Sequence, residues 1–203
     1  MDYQACGLAD LGKPDGYVAR QIKGWSERYD NARTPDAPGW QEVRTWLEEK
    51  MPADHPRPAI VHNDYRFDNV ILDANDPLRI IGVLDWELTT LGDPLMDLGN
   101  TLAYWIEADD PAPVQLMRRQ PSNAPGMLTR QAFVDYYAER AGIEIKCFDF
   151  YYIYGLFRLA GIVQQIYYRY YHGQTADKRF ASFVQMNALL EKMALGVVAR
   201  SSL

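Results

Sequence analysis

Three residues set the chemistry open to this chain: Asp64, Asn69 and Asp85. All three offer hard oxygen donors. Two carboxylates and a carboxamide brought together can hold a divalent cation such as Mg²⁺ and still leave one carboxylate free to act as a base. The first two lie in His62-Asn63-Asp64-Tyr65-Arg66-Phe67-Asp68-Asn69, which follows the apolar run Ala59-Ile60-Val61. That run predicts a buried strand ending at His62. A second β-rich run, Val70-Ile71-Leu72, leads into the turn residues Asp73 to Pro77, and a third, Ile80 to Leu84, ends on Asp85-Trp86-Glu87. The order predicts strand, polar loop, hairpin and acidic tip. A single small sheet built this way places the His62–Asn69 loop and Asp85 at the same end.

His62, Asp64 and Asn69 stand at the intervals of the protein-kinase catalytic loop, H-R-D-x-x-x-x-N. Asp85 follows a hydrophobic strand, as the metal-binding Asp of kinases does, and Gly92-Asp93-Pro94-Leu95-Met96-Asp97-Leu98 then opens a helix. With three blocks in this order the chain resembles the aminoglycoside-phosphotransferase and choline-kinase superfamily, whose members have a protein-kinase-like fold. Within it, the blocks look most like the branch found beside or fused to acyl-CoA dehydrogenases. The resemblance implies a small-molecule kinase using ATP and Mg²⁺ and phosphorylating a hydroxyl of a small-molecule acceptor. Carried onto these residues, it makes Asp64 the base and Asn69 and Asp85 the residues that hold Mg²⁺ and, through it, the nucleotide. Arg66 falls where kinases keep a cation near the transferring phosphate, although it could instead pair with Asp68 or Glu87. His62 would brace the loop, and Asp97 would hydrogen-bond it from the following helix. Asn63, in place of the glycine commoner in aminoglycoside kinases, resembles the choline-kinase form of the loop. A non-catalytic binding module that kept the fold, an aminoglycoside- or choline-type kinase, and a metal-dependent hydrolase are the alternatives.

The elements that must position these residues are mostly helices. Val18, Ile22, Trp25 and Tyr29 recur at helical spacing after Pro14-Asp15, and Val43, Trp46 and Leu47 do so within Trp40 to Lys50. Their default role is core packing. Asp93 is a natural N-cap before Pro94, for a helix to about Trp105. Glu107 to Gly126, rich in proline, predicts a long exposed loop. Helices are then predicted from Thr129 to Ala141, closed by Gly142, from Phe148 to Tyr171, and from Asp177 to about Val198. The fold class is therefore α+β but mainly α: a kinase-like C-terminal lobe with a small β-hairpin sheet carrying the catalytic loop. Glu87, Trp105 and Arg158, with the proline-rich loop, are the candidates for an acceptor cleft.

Length and composition fit one globular domain over residues 1–203. A formal charge of −6 disfavours nucleic acid or an anionic membrane as partner. Residues 1–10 lack a basic start and an apolar run, and no uncharged apolar stretch is long enough to span a bilayer. Two distant cysteines, Cys6 and Cys147, suit a reducing, cytoplasmic setting. Upstream of residue 59 there is neither a Gly-rich phosphate loop nor a strand-borne Lys with a helical Glu partner. The kinase resemblance thus predicts that the nucleotide-covering N-lobe is absent from this chain. It also predicts self-association through the apolar surface that lobe would cover.

Overall fold

The computed structural model describes residues 2–203. Its centre is helix α6 (Asp149–Tyr171), which packs against α1 (Tyr17–Asn31), α2 (Gln41–Glu49), α3 (Pro94–Ala103) and α7 (Phe183–Val198). Phe150, Ile153, Tyr154, Leu156, Phe157 and Ala160 of α6 are all buried. Each large side chain of this kind contributes roughly 1.5–3 kcal/mol by leaving water. The Trp40 ring lies 5.4 Å from that of Phe157, and its indole N–H donates to Asn187 Oδ1 at 2.8 Å. Asn187 in turn donates to Gln164 Oε1 at 2.7 Å and to the Tyr29 hydroxyl at 3.2 Å. These four polar side chains are thereby satisfied by one another, and they tie α1, α6 and α7 together.

Helices α3 and α6 cross with backbones in contact because both are glycine at the crossing. A Cβ on Gly155 would stand 2.1 Å from the Gly99 carbonyl oxygen, and one on Gly99 would stand 2.2 Å from that of Tyr151. This crossing sets Asp97, on α3, and Arg158, on α6, on two elements that cannot shift independently. Helix ends follow their caps. Asp93 Oδ1 accepts the Leu95 N–H at 2.8 Å to start α3, and Thr129 Oγ1 accepts the Ala132 N–H at 3.1 Å to start α5 (Arg130–Ala141).

The strands depart from the expected single sheet. Strand β1 (Ala59–Val61) pairs antiparallel with β4 (Thr90–Gly92), Ala59 opposite Gly92, while β2 (Val70–Leu72) and β3 (Ile80–Val83) form a separate two-stranded ribbon with Val70 opposite Val83. Three residues carry no usable alternation, so Thr90-Leu91-Gly92 gives no strand signal in the sequence. The ribbon leaves Ile71, Leu72, Ile80 and Ile81 exposed, and Leu78 at its turn is 94% exposed.

Three further expectations are corrected. The Glu107–Gly126 segment is not a wholly exposed loop: it contains α4 (Ala112–Gln115) and buries Val114, Met117 and Ser122. Arg130 fastens its start by ion pairs to Glu107, at 3.2 Å, and to Asp110, and Ser122 Oγ both accepts the Ile106 N–H and donates to the Ile106 carbonyl. Asp177 caps a 3₁₀ turn, Lys178–Ser182, rather than α7 itself. Helix α1 begins at Tyr17, after the left-handed Gly16, and not at Pro14-Asp15. No helix among the described residues is long and apolar enough to cross a membrane.

Candidate active site

The loop after β1 is built around Asn63. Its φ of 65° lies in the left-handed region, where asparagine is among the residues best tolerated. Five groups hold it there. Its N–H donates to Asp97 Oδ1 at 2.7 Å and its carbonyl accepts from Arg158 Nη2 at 2.8 Å. Its side-chain oxygen accepts from the Tyr17 hydroxyl at 3.2 Å and from Asn100 Nδ2 at 3.3 Å, while its Nδ2 donates to the Leu88 carbonyl at 2.9 Å. Burial pushes the Tyr17 hydroxyl up to about 12, the Asn63 bond acting against the shift. Tyr17 therefore stays a neutral donor.

Asp97 holds the loop from the other side. Its Oδ2 accepts the His62 N–H at 2.8 Å, so one half-buried carboxylate receives two consecutive backbone N–H groups. Burial raises its carboxyl above the ordinary carboxylate range, and the two N–H groups pull it back. One turn further along α3, Thr101 Oγ1 donates to the Tyr65 carbonyl at 3.0 Å. Asp97, Asn100 and Thr101 sit at i, i+3 and i+4, which is why a single helix face can grip the loop at three points.

Inside the loop, both nitrogens of the His62 ring are engaged. Nε2 donates to the Leu84 carbonyl at 2.8 Å and Nδ1 accepts the Asp64 N–H at 3.2 Å. That arrangement occupies the ring structurally and leaves no nitrogen for a substrate. Asn69 Nδ2 donates to the Asp64 carbonyl at 2.8 Å and to Asp64 Oδ2 at 3.1 Å, so Asp64 and Asn69 are brought together. Arg66 Nε lies 3.3 Å from Asp64 Oδ1 and its Nη2 lies 3.4 Å from Asp68, with the guanidinium over the Tyr104 ring. It pairs with these two aspartates and not with Glu87. The Leu84 N–H donates to the Asn69 carbonyl at 2.8 Å, and Asp85 follows at once with φ 63°.

Asn69 Oδ1 and the Asp85 carboxylate carry no hydrogen bond or ion pair among the described residues. They are hard oxygen donors of the kind Mg²⁺ takes. No three His, Cys, Asp or Glu side chains among the described residues are grouped to hold a metal alone.

Asp64 and Arg66 open into a cleft of about 930 Å³. Arg158 lines it, as the sequence suggested, but Glu87 and Trp105 do not. Glu87 is exposed in the Trp86–Leu88 turn. Trp105 is buried between Phe67 and Phe133, its indole N–H donating to the Leu128 carbonyl at 2.8 Å. A tryptophan two residues past a helix end is as much a packing anchor as a ligand surface, and here the aromatic neighbours claimed it. Arg119, from the proline-rich loop offered as part of the cleft, also lines it; sequence reasoning missed Trp25, Arg28 and Tyr104, which line it too. Arg28 is three residues after Trp25, so helical spacing alone could have paired them.

Comparison with known proteins places these features in a family. The family model described as "Phosphotransferase enzyme family" matches residues 1–133. Mouse acyl-CoA dehydrogenase family member 10 is 34% identical over 96% of this chain, and human acyl-CoA dehydrogenase family member 11 is 31% identical over 91%. The chain spans 18% and 24% of those two proteins. A solved structure from Ralstonia eutropha, described as an aminoglycoside phosphotransferase, superposes with a TM-score of 0.82 at 30% identity, covering 100% of this chain and 61% of that one. A mainly helical kinase-like fold, the loop geometry and the family match agree: this chain belongs to the phosphotransferase enzyme family.

Proposed function

We propose that this domain transfers the γ-phosphoryl group of ATP to a hydroxyl of a small-molecule acceptor. The observation that carries the reading is the placement of Asp64. Its carboxylate faces a large cleft and is oriented by the Asn69 amide at 3.1 Å, whose own oxygen is unpaired, while Asp85, exposed at the end of the neighbouring ribbon, is hydrogen-bonded to neither of them. Phosphoryl transfer from ATP proceeds through a loose transition state, so positioning and charge neutralisation matter more than covalent chemistry by the protein. Asp64 orients the acceptor hydroxyl and takes its proton as the new P–O bond forms. Arg66, held by Asp64 and Asp68, stands ready to meet a phosphoryl oxygen with its planar fork. Asn69 and Asp85 would hold Mg²⁺, which neutralises phosphate charge when bound. Arg158, Tyr17 and Asp97 fix Asn63 and so keep Asp64 at one setting.

The test is single-turnover transfer from radiolabelled Mg·ATP, with protein in excess and a panel of hydroxyl compounds offered. Protein in excess matters because residues upstream of β1 hold no Gly-rich phosphate loop, and nucleotide affinity from this chain alone is expected to be weak. Formation of a phosphoester that requires Asp64 supports the reading. Transfer to no hydroxyl, or transfer that survives Asp64→Asn, defeats it.

A further inference from the structure

The cleft beside Asp64 is positively charged in a chain that is negatively charged overall. Four arginines line it, Arg28, Arg66, Arg119 and Arg158, against two aspartates, Asp64 and Asp68, in a molecule of formal charge −6. Both aspartates are already paired with Arg66. The other three arginines have no carboxylate partner among the described residues.

Arg158 is the unusual one. It is 4% exposed and five donors make up its guanidinium, yet it gives one hydrogen bond, to the Asn63 carbonyl. Its charge is otherwise met by the face of Trp25, 5.2 Å from the ring centre, and at longer range by the Asp97 carboxylate, which bonds the other side of Asn63 and which Arg158 helps to pull down. Arg28 lies over the same ring at 4.8 Å, so Trp25 carries two guanidinium groups that both line the cleft. Gly161 makes this possible, since a Cβ there would stand 2.9 Å from Trp25 Cε3. A buried cation with no carboxylate in direct contact is costly unless its working state supplies a closer anion. Beyond the arginines the cleft wall turns apolar, with Leu159, Ile162, Val163, Ile166, Phe183 and Met186. Asn69 and Asp85, the oxygens suited to Mg²⁺, do not line this cleft.

We infer that Arg158 and Arg28, braced on Trp25, are the specificity-determining anchor for a negatively charged group on the acceptor. The acceptor is then an amphiphilic anion, its charge at the arginines and its apolar part on the α6–α7 wall. This assignment rests on the phosphotransferase reading only in calling the ligand an acceptor; the charge preference of the cleft can be measured without nucleotide. A fixed low-dielectric cation strengthens attraction for anions and repels cations, which gives the cleft selectivity as well as affinity.

The experiment is calorimetric titration of the chain, free of nucleotide and at low ionic strength, with octanoate, octanamide, octylammonium and inorganic phosphate. Octanoate should bind about tenfold more tightly than octanamide, as a charge-assisted hydrogen bond would give, and octylammonium should not bind. Arg158→Gln and Arg28→Gln should bring octanoate to the level of octanamide, whereas Arg158→Lys should keep part of the preference. Equal binding of octanoate and octanamide, binding of octylammonium, or no binding by any probe overturns the inference. Phosphate binding more tightly than octanoate also overturns it, by assigning the arginines to phosphoryl groups. Arg28 is exposed, so Arg28→Gln decides the matter even if Arg158→Gln does not fold. None of these outcomes bears on whether the domain transfers phosphate, which the single-turnover assay answers separately.

Discussion

Replacing Asp97 with asparagine probes the support of the His62–Asn69 loop without touching a group that faces the cleft. The Asp97 carboxylate accepts the N–H of Asn63 at 2.7 Å and that of His62 at 2.8 Å, one on each oxygen. An asparagine keeps the shape but offers a single acceptor, and its NH₂ then confronts the second N–H. One buried donor is left unmet, a loss of about 1–3 kcal/mol. In a chain of this size each kcal/mol lowers the melting temperature by about 2–4 °C, so Asp97→Asn should melt roughly 2–12 °C below wild type. The pH dependence carries a sign that can be checked. Burial raises the Asp97 carboxyl above its ordinary value of 3.8. Just above that value the folded chain keeps a proton that the unfolded chain has released. The contribution of this group to stability is therefore full below the ordinary value and falls as pH rises through the folded one. Asp97→Asn cannot titrate, so its deficit relative to wild type should be largest in acid and shrink as pH rises from about 4. Thermal melts of both proteins across that range, followed by circular dichroism, are the assay. A variant melting within about 1 °C of wild type at every pH would refute the claim that Asp97 holds the loop.

Gly155→Ala should cost about 3 kcal/mol or more in urea titrations, because the added Cβ meets backbone 2.1 Å away rather than a side chain that could move. Tyr17→Phe removes the hydroxyl bonded to Asn63 and should lower stability by about 0.5–1.5 kcal/mol by the same measurement, a larger loss implying that the ring itself shifts. The exposed apolar ribbon of Ile71, Leu72, Ile80 and Ile81 should drive concentration-dependent association, seen by light scattering and suppressed by Ile81→Lys; a monomer at all concentrations would count against it.

Helices were the legible part of this sequence because each carries its own punctuation. Asp93 before Pro94, and Thr129 with Gly142 at the two ends of α5, state in local chemistry where a helix begins and stops, and the structure places them there. The spacing of His62, Asp64 and Asn69 pointed to a compact loop, and the hydrogen bonds among them are found. What escaped depends on contacts remote in sequence. The β1–β4 pair joins Ala59 to Gly92 through strands too short to show alternation. The fate of Trp105 was decided by Phe67 and Phe133, neither of which signals to it locally. Trp25 sits on an apolar stripe and does pack on the core, yet its free face supports two arginines. Periodicity shows that a residue faces inward; it does not show that a cleft opens there. The left-handed Asn63 was equally hidden, since its conformation is enforced by Tyr17, Asp97, Asn100 and Arg158 from three helices.

The assignment of Asp64 as the base is the claim on which the mechanism stands, and single-turnover transfer from Mg·ATP by the Asp64→Asn protein tests it most directly. Asparagine keeps the size and, through its single oxygen, the hydrogen bond from Asn69; it gives up the ion pair with Arg66, which keeps Asp68, and it removes the charge proposed to orient and deprotonate the hydroxyl. The account predicts a fall of about 10²–10⁴ in the transfer rate, with a melting temperature near that of wild type and nucleotide binding unchanged. A folded Asp64→Asn protein that transfers phosphate at close to the wild-type rate would contradict it.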